Sequence, residues 1–441
     1  MKITHWLSVA ALFAIAGCEG EGITRPPPTD VLVFNAAPNV EQITFRREND
    51  VNTQLTLSYG GGASNRWDSG PYEFNLDYPV VGSVVRAVTF SETLSPDLDY
   101  VFVAVSPGGQ PEVLTFARDN RAGNAAEARI TFIHAFDGLG PVDVYFEAPG
   151  TMLGSTAPRG TVSFAGDALS FEIPDATYRV YLTTPGDRDD VLFESTNQGI
   201  ANSPDLVYVV SDPAGQGSAD IVVSRVGQVT VRLGQIGLDS SVRFVHGLND
   251  RMDRDVYLDD TMSGPVFPAQ AFGVLSEYAD VDLGPHSFIV TPLGNPGTEE
   301  LSVEETIRSG GLYTILVSNT SDGEIAAQRI LEDKRSMTGQ ATLTLLNAAG
   351  LFEVVGVYVE APGTDITNEG ALVNLLPPGF APRQALLPGD YEITIENPLT
   401  GAILAGPVPV TLDDGGVYGL LIVNGAGGST VDLVLYDDFI P

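Results

Sequence analysis

The chain has 441 residues, of which 43% are hydrophobic, and it contains 48 glycines and 30 prolines. This composition is too apolar for a disordered chain and too rich in turn formers for a helical bundle, so it favours an all-β fold. The formal net charge of −35 repels phosphate groups, which makes nucleic acid a poor partner and favours cations or basic surfaces. The same acidity also serves to keep an exported protein soluble.

The first 17 residues have the features of a secretory signal peptide, with the positive charge of Lys2 followed by an apolar stretch at residues 6–15. The only cysteine, Cys18, comes directly afterwards. The sequence IAGC at residues 15–18 resembles a bacterial lipoprotein lipobox, which implies cleavage before Cys18 and acylation of its thiol. An ordinary secretory leader with an incidental cysteine is the alternative. We expect an exported protein that is held at the membrane by a lipid anchor.

Residues 18–29 form a predicted linker, in which three consecutive prolines at 26–28 favour a stiff polyproline spacer. Glu19, directly after the cysteine, is compatible with sorting to the outer membrane if the host is Gram-negative. No later segment reaches 18 consecutive apolar residues, so we expect the mature chain to be anchored to the membrane and not inserted in it.

An internal repeat organises the remaining chain. The sequence VYFEAPGT at residues 144–151 returns as VYVEAPGT at residues 357–364, and weaker copies lie around residues 32–45 and 242–260. Four copies of about 100 residues each are long enough to fold as separate domains. The predicted boundaries are 30–126, 127–238, 239–338 and 339–441, and we expect short connectors and an elongated array.

Each copy shows the same order of predicted strands. The first strand ends in Asn35, His134, His246 or Asn347. A strand of alternating polar and apolar residues begins at or next to Tyr72, Tyr178, His286 or Tyr391. A later apolar strand opens with Tyr100, Tyr208, Tyr313 or Tyr418. Such short strands separated by turns predict immunoglobulin-like β-sandwiches, in which the late tyrosine could bind upstream backbone through its hydroxyl.

Residues 324–335 depart from this pattern, because their composition favours a helix. Their position as the closing element of the third copy favours a strand for the first half.

The strands ending in Ile-His-Ala or Val-His-Gly, followed by a loop and Asp-Val-Tyr, resemble the bacterial DUF4397 family. The resemblance extends over nearly the whole mature chain, although Asn35 and Asn347 replace the histidine in the first and last copies. It implies tandem repeats in an exported or lipid-anchored protein. The family has no established activity, so the resemblance implies no catalytic residue and no cofactor.

The residues that could support catalysis are few. His134 and His246 occupy a position that Asn takes in the other copies, and a role shared by His and Asn is a hydrogen bond that holds the following loop. No nucleophile elbow, phosphate-binding loop or His-Glu-x-x-His sequence is present. We therefore expect no enzyme. A glycoside hydrolase that uses carboxylates alone is the remaining catalytic alternative, and it requires a concave pocket with two carboxyl groups about 5 to 10 Å apart.

A candidate binding face follows from the alternation of the second strand. Its tyrosines are Tyr145, Tyr257 and Tyr358, and its acids are Glu147, Asp259 and Glu360. These residues alternate with apolar ones, so they point away from the sandwich core. A tyrosine between acids can form a binding surface. The alternative is that each ring caps a sheet edge or packs on a neighbouring loop.

A second candidate is a weak calcium site in the third copy, formed by the carboxylates of Asp250, Asp253 and Asp255. Calcium prefers such oxygen ligands. Arg251 and Arg254 lie in the same loop and could pair with these acids instead.

Together these features favour a cell-envelope protein that is not an enzyme and acts in surface adhesion or ligand binding. Tandem domains on a lipid anchor could repeat a weak site and so raise its apparent affinity. Carbohydrate or an envelope protein is the expected partner. A passive structural stalk is the alternative, in which the tyrosines serve only the fold.

Overall fold

The computed structural model describes residues 26–48, 50, 53–80, 83–120, 126–151, 153–154, 156–202, 205–214, 217–225, 227–228 and 230–438. The predicted signal peptide, Cys18 and the linker up to residue 25 lie outside the described residues. Within the described part of the chain, no helix is long and apolar enough to cross a membrane.

The described chain is all-β, with strands in eight sheets and only two short 3₁₀ turns, Pro107–Gly109 and Ile366–Asn368. The first unit contains β1 (Pro28–Asn35), β2 (Gln42–Arg47), β3 (Leu55–Ser58), β4 (Gly62–Asp68), β5 (Gly70–Val80), β6 (Ser83–Leu94), β7 (Leu98–Val105) and β8 (Glu112–Asp119). The second contains β9 (Glu127–His134), β10 (Val142–Glu147), β11 (Gly160–Val162), β12 (Leu169–Pro174), β13 (Ala176–Thr183), β14 (Val191–Glu194), β15 (Gln198–Ile200), β16 (Asp205–Ser211), β17 (Asp220–Ser224) and β18 (Val231–Leu233).

The third unit contains β19 (Ser240–His246), β20 (Arg254–Leu258), β21 (Phe267–Gln270), β22 (Ala279–Val281), β23 (Gly284–Pro292), β24 (Leu301–Ile307), β25 (Leu312–Asn319) and β26 (Ile325–Leu331). The fourth contains β27 (Ala341–Ala348), β28 (Val355–Glu360), β29 (Val373–Leu376), β30 (Arg383–Leu386), β31 (Gly389–Asn397), β32 (Ala402–Leu412), β33 (Val417–Asn424) and β34 (Val431–Asp437). The strand β26 agrees with the expectation that position overrides helical composition there.

Every unit is a two-sheet sandwich, so the predicted all-β class and the tandem β-sandwiches are confirmed. In the first unit the sheets have the orders β4-β1-β7-β8 and β3-β2-β5-β6, and the third and fourth units repeat this arrangement. The second unit has the same arrangement with two additional strands, β15 and β18. The first strand pairs in parallel with the seventh strand of the first, third and fourth units, and with the eighth strand, β16, in the second. The usual immunoglobulin sheets instead contain strands ABED and CFG. Strand periodicity indicates a sandwich but does not indicate which sheet edge the short third and fourth strands join.

A separate apolar core lies between the two sheets of each unit. The core of the first unit is rich in aromatic rings. Phe74 lies 5.4 Å from Phe45 and 5.2 Å from Phe102 between ring centroids. Such contacts add to the stabilisation from buried apolar area. Among the described residues these four clusters are separate, so each sandwich has its own hydrophobic interior, and the exact boundaries between units stay a prediction.

The units also pack in pairs, which differs from the expected elongated array. A further apolar cluster joins the outer faces of the β1 and β9 sheets, and includes Phe34, Val103, Ile133 and Val209. An equivalent cluster joins the β19 and β27 sheets. The physical reason is that the first and seventh strands are buried on both faces, as the burial of every residue from 31 to 35 shows. Such strands have apolar side chains for a core on one face and for a neighbour on the other.

The segment between the third and fourth units, residues 332–340, brings the two pairs together. Arg335 donates a hydrogen bond to the carbonyl of Pro38 at 2.7 Å, and its guanidinium carbon lies 3.4 Å from the ring centroid of Tyr59, both in the first unit. Arg335 also pairs with Asp333 at 2.6 Å. Arg383 of the fourth unit pairs with Glu41 of the first. The two pairs of sandwiches are therefore in direct contact through buried charges.

Candidate functional site

The histidine at the end of the first strand holds the following loop in the second unit and contacts strand β21 in the third unit. The His134 ring shares a hydrogen bond with the carbonyl of Gly140 at 3.1 Å and accepts one from the backbone of Phe136 at 3.4 Å. The His246 ring shares one with the carbonyl of Gln270 at 3.0 Å. Burial lowers the pKa of both imidazoles, so the rings are neutral at pH 7. Their contacts are those of structural side chains.

Asparagine makes the same contacts in the first and fourth units. Asn35 accepts a hydrogen bond from the backbone of Ala37 at 3.2 Å, two residues along the chain. Asn347 accepts one from Ala349 at 2.9 Å and donates one to the carbonyl of Leu376 at 2.8 Å. His134, Asn35 and Asn347 each accept a hydrogen bond from the backbone two residues along the chain and bond a second backbone carbonyl, which explains why His and Asn exchange at this position.

The tyrosines of the candidate binding face are covered in the second and third units. Tyr145 is 1% exposed and packs with Leu153 and Tyr181, while Tyr257 is 4% exposed. The expectation of an outward binding tyrosine is therefore wrong for these two residues. Alternation does point Tyr145 away from the sandwich core, but a side chain on an outer sheet face is buried once a loop folds over it. Leu153 belongs to the loop that follows β10.

The acids next to these two tyrosines are Glu147 in the second unit and Asp259 in the third. Asp259 pairs with His286 at 2.9 Å and accepts a hydrogen bond from the backbone of Ser287 at 3.0 Å, and these contacts lower its pKa. Glu147 is half-buried at the end of β10. Neither acid lies beside an accessible tyrosine ring.

The three carboxylates of the weak calcium prediction do not converge. Asp250 pairs with Arg254 at 2.5 Å, which explains its lowered pKa together with a backbone hydrogen bond. Asp255 is buried and accepts hydrogen bonds from the backbone of Ala269 and Gly294, both at 2.8 Å. Asp253 is exposed. In the described ranges, no group of three His, Cys, Asp or Glu residues is placed to hold a metal ion. The structure therefore contradicts a calcium site built from these residues.

The fourth unit presents the candidate face differently. Strands β28 and β31 pair so that Tyr358 lies opposite Thr394, Glu360 opposite Glu392, and Gly356 opposite Glu396. The intervening residues on both strands are in the core. We call Tyr358, Glu360, Glu392, Thr394 and Glu396 the acidic face. Tyr358 is half-buried, unlike its two counterparts, and its hydroxyl donates a hydrogen bond to Glu396 at 2.7 Å.

A pocket of 240 Å³ lies on the acidic face, and Glu360, Glu392 and Asp365 contribute to its wall together with Ile403 and Pro407. Burial and the negative charge of Glu369 raise the pKa of Glu360. Glu392 accepts a hydrogen bond from the backbone of Gly363 at 3.0 Å.

No Lys, Arg or His pairs with Glu360, Glu392 or Glu396 anywhere in the described chain. The corresponding face of the first unit differs, because Asp77 there pairs with Arg46 at 3.1 Å and with Arg86 at 2.6 Å. The acidic face therefore combines a half-buried aromatic ring, a concavity and uncompensated negative charge.

Alternation along a single strand predicted only Tyr358 and Glu360 as residues of this face. It did not predict Glu392, Thr394 and Glu396, because they lie on a strand that is separated by a long segment from β28. The alternating pattern of β31 was a usable signal for their outward direction, but the pairing of β28 with β31 had to be known to place them beside Tyr358.

Residues 240–358 match the model of DUF4397, a domain of unknown function. The match begins at the start of β19 and ends within β28, so it spans the third unit and enters the fourth. The resemblance to DUF4397 is confirmed for these residues. No curated protein matches the chain.

Three solved structures show low similarity. The Bacillus anthracis TIE protein is 9% identical, with 87% of this chain and 68% of that chain covered and a TM-score of 0.16. The pneumococcal glycogen-degrading virulence factor SpuA is 11% identical, with 85% and 37% covered and a TM-score of 0.15. A candidate cell adhesion protein of Bacteroides fragilis NCTC 9343 is 13% identical, with 71% and 98% covered and a TM-score of 0.13. At these TM-scores the similarities carry no functional argument.

Proposed function

We propose that this DUF4397-containing chain is a binding protein of the cell envelope, without enzymatic activity, which holds a basic segment of a partner protein on the acidic face. The observation that carries the proposal is the group of carboxylates on the fourth unit that no cation compensates. A Lys or Arg side chain of a partner would supply the missing charge, and Tyr358 and Ile403 would supply contact area.

Only one of the units that carry this tyrosine presents the face, so the chain does not repeat a weak site on four domains. The equivalent tyrosines Tyr145 and Tyr257 are buried, so the second and third units do not present this face. The third unit instead packs against the fourth through a shared apolar cluster, and Glu41 of the first unit pairs with Arg383 of the fourth. Multivalent binding by a single chain is therefore not part of the proposal, and adhesion would need several anchored copies on one surface.

Anchoring through Cys18 belongs to the same proposal, with the outer membrane as the location if the host is Gram-negative. The lipobox-like sequence at residues 15–18 supports it. Mass spectrometry of the mature protein should find an acylated N-terminal cysteine, and Cys18→Ala should release the protein from membranes. A mature chain that begins at another residue would contradict the anchor.

The binding proposal is tested with an oligolysine peptide and a panel of neutral glycans as probes. Glu360→Gln combined with Glu392→Gln should weaken peptide binding by about tenfold, since each lost charge pair contributes on the order of 1 kcal/mol. Binding should also weaken steeply with added salt. The matched control is Glu304→Gln combined with Asp322→Asn, which removes the same charge from exposed positions of the third unit.

Equal peptide binding by both double variants would contradict the site. Salt-independent binding of a neutral glycan that requires Glu360 would show a carbohydrate partner instead. If neither probe binds, a passive stalk becomes the better description of the protein.

Glycoside hydrolysis is a second candidate function, because one observation favours it. Glu360 and Glu392 are directly opposite on neighbouring strands, which places their Cβ atoms about 5 Å apart, in a pocket whose wall contains no arginine. The raised pKa of Glu360 suits a general acid, and the nearby carboxylate suits a nucleophile. Release of reducing sugar from a polysaccharide panel, abolished by Glu392→Gln, would support this reaction; no release by the unmodified chain would exclude it for those substrates.

A further inference from the structure

A cavity of 320 Å³ lies where the second unit, the third unit and the segment that follows β26 meet. Side chains of both units contribute to its wall, among them Asp220, Arg232, Arg308, Leu312, Tyr313 and Leu331. Small-molecule sites have volumes of about 300 to 1,000 Å³ and occur preferentially at domain interfaces. The cavity therefore has the size and the position of a site for a small organic molecule.

The carboxylates of this wall are already compensated. Asp220 pairs with Arg232 at 3.2 Å. Glu332 pairs with Arg243 at 2.7 Å, and Asp333 pairs with Arg335 at 2.6 Å. These contacts leave no free carboxylate on the wall to attract a cation.

Arg308 is the charged residue of the wall that remains uncompensated. No carboxylate pairs with its guanidinium in the described chain, and the residue is exposed. Its backbone is held in place, because its N–H donates to the hydroxyl of Tyr313 at 3.2 Å and its carbonyl accepts from Gly311 at 3.2 Å. A guanidinium on a fixed backbone is a good partner for a carboxylate, which it can bind through two parallel hydrogen bonds.

The apolar part of the wall gives the second requirement for a ligand. Leu331 lines this cavity and is 59% exposed. It is exposed although it ends β26, which pairs with the buried strand β25 of the sandwich. Leu312 and the ring of Tyr313 are buried beside it. Covering Leu331 with the hydrocarbon part of a ligand would remove apolar surface from water, which stabilises the complex.

We infer that this cavity binds a small organic monoanion with an apolar body, whose carboxylate contacts Arg308 and whose hydrocarbon part contacts Leu331. The site is independent of the acidic face, because it uses residues of the second and third units only. The net charge of −35 does not prevent anion binding, since charges more than about 8 Å away are largely screened at physiological salt.

The test compares octanoate, 1-octanol and octylammonium, three probes that share a chain length and differ in charge. Isothermal titration is carried out on the full-length chain with Cys18→Ser, which cannot be acylated. Octanoate should bind, and octylammonium should not. Arg308→Gln should weaken octanoate binding by at least about tenfold, because a hydrogen bond to a charged group contributes more than a neutral one, and should leave octanol binding unchanged.

Two further variants keep the result interpretable. Leu331→Gln should weaken the binding of octanoate and octanol alike, because it removes the apolar contact that both probes share. Arg66→Gln, at an exposed arginine of the first unit, is the control and should change nothing. Octanoate that fails to bind at millimolar concentration, binds Arg308→Gln equally well, or binds no better than octylammonium would overturn the inference. The acidic-face experiment with oligolysine is unaffected by any of these outcomes.

Discussion

Asp212 is a carboxyl group at the point where the first and second units meet the segment that contains Arg335. Its backbone carbonyl accepts a hydrogen bond from Tyr59 at 2.5 Å, while burial raises the pKa of its side chain to about 6. Arg335 opposes this shift but does not cancel it. A carboxyl group whose pKa is raised by folding binds its proton more tightly in the folded state, so folding becomes less favourable as pH rises.

The first prediction concerns Asp212→Asn. The folded pKa of about 6 lies above the usual aspartate pKa of 3.8, so the unfavourable contribution develops between about pH 4 and pH 6 and is complete above that range. We expect the variant to be more stable than the unmodified chain at pH 8, by on the order of 1 kcal/mol after allowing for partial exposure, and equally stable at pH 4.

Thermal unfolding at both pH values measures this difference. Asp322→Asn, at an exposed acid of the third unit, is the control and should not change the melting temperature at either pH. An equal effect of Asp212→Asn at pH 4 and pH 8 would show that the carboxyl does not titrate as described.

At the scale of single elements, two side-chain positions of the repeat contact the turn before their strand. In the first, third and fourth units, the tyrosine near the start of the seventh strand accepts a hydrogen bond from the backbone five residues upstream, at Ser95 for Tyr100 and at Arg308 for Tyr313. Tyr418 accepts the equivalent bond from Asp413. These contacts tie the turn before the strand to the strand itself, as expected for a tyrosine corner.

The residue near the start of the fifth strand has a second, similar role. Tyr72, Tyr178 and Tyr391 each donate a hydrogen bond at 2.8 Å to the carbonyl four residues upstream. His286 makes the same contact with Asp282 at 2.8 Å. The repeat therefore preserves a contact to a turn while the residue type changes, and His286 has a structural role that its residue type alone does not indicate.

The second prediction compares two tyrosines at the same position of the repeat. Tyr100→Phe should destabilise the protein by about 1 to 2 kcal/mol, because the Tyr100 hydroxyl bonds to the backbone of both Ser95 and Thr93. Tyr208→Phe should have no measurable cost, because the buried Tyr208 hydroxyl has no hydrogen-bond partner within the described chain. Denaturant unfolding of both variants provides the comparison. A loss at Tyr208 as large as that at Tyr100 would contradict it.

At the scale of the whole molecule, the two pairs of sandwiches are joined by ion pairs whose separation would be energetically unfavourable. Arg335 is 7% exposed and contacts Tyr59, Pro38 and Asp333 at once. Asp333 and Glu41 also share Arg383. A buried carboxylate that loses its cation is strongly unfavourable, so this junction fixes the relative position of the pairs.

The third prediction is that Arg335→Ala opens the junction. Removing one partner of a fully buried ion pair costs about 3 to 5 kcal/mol, and the cost here should be smaller because Arg383 still pairs with Asp333 and Glu41. We expect a lower melting temperature and a larger radius of gyration in small-angle scattering, as the first pair separates from the second. Arg66→Ala, at an exposed arginine of the first unit, is the control and should change neither value. A lowered melting temperature with an unchanged radius would show that Arg335 stabilises one unit without holding the pairs together.

The all-β class, the repeated sandwich and the local role of several side chains can be predicted from the amino-acid sequence. Period-2 strands and regularly spaced tyrosines depend on contacts within one repeat, and four copies of a pattern make such local signals readable. The exchange of Asn and His at Asn35 and His134 similarly indicated a hydrogen bond to the next loop, which is present in both. Identification of Tyr358 and Glu360 as face residues followed from alternation along a single strand.

The accessibility of the surfaces, in contrast, depends on how loops and units pack in three dimensions. Tyr145, Tyr257 and Tyr358 occupy the same position of the repeat, yet the ring is buried in the second and third units and half-buried in the fourth. Burial of an outer face depends on loops and on neighbouring units, whose contacts join residues far apart in the chain. The same reason applies to the paired units, the Arg335 junction and the cavity at Arg308, because each is formed by residues of different repeats, and periodicity within one repeat carries no information about how the repeats pack against each other.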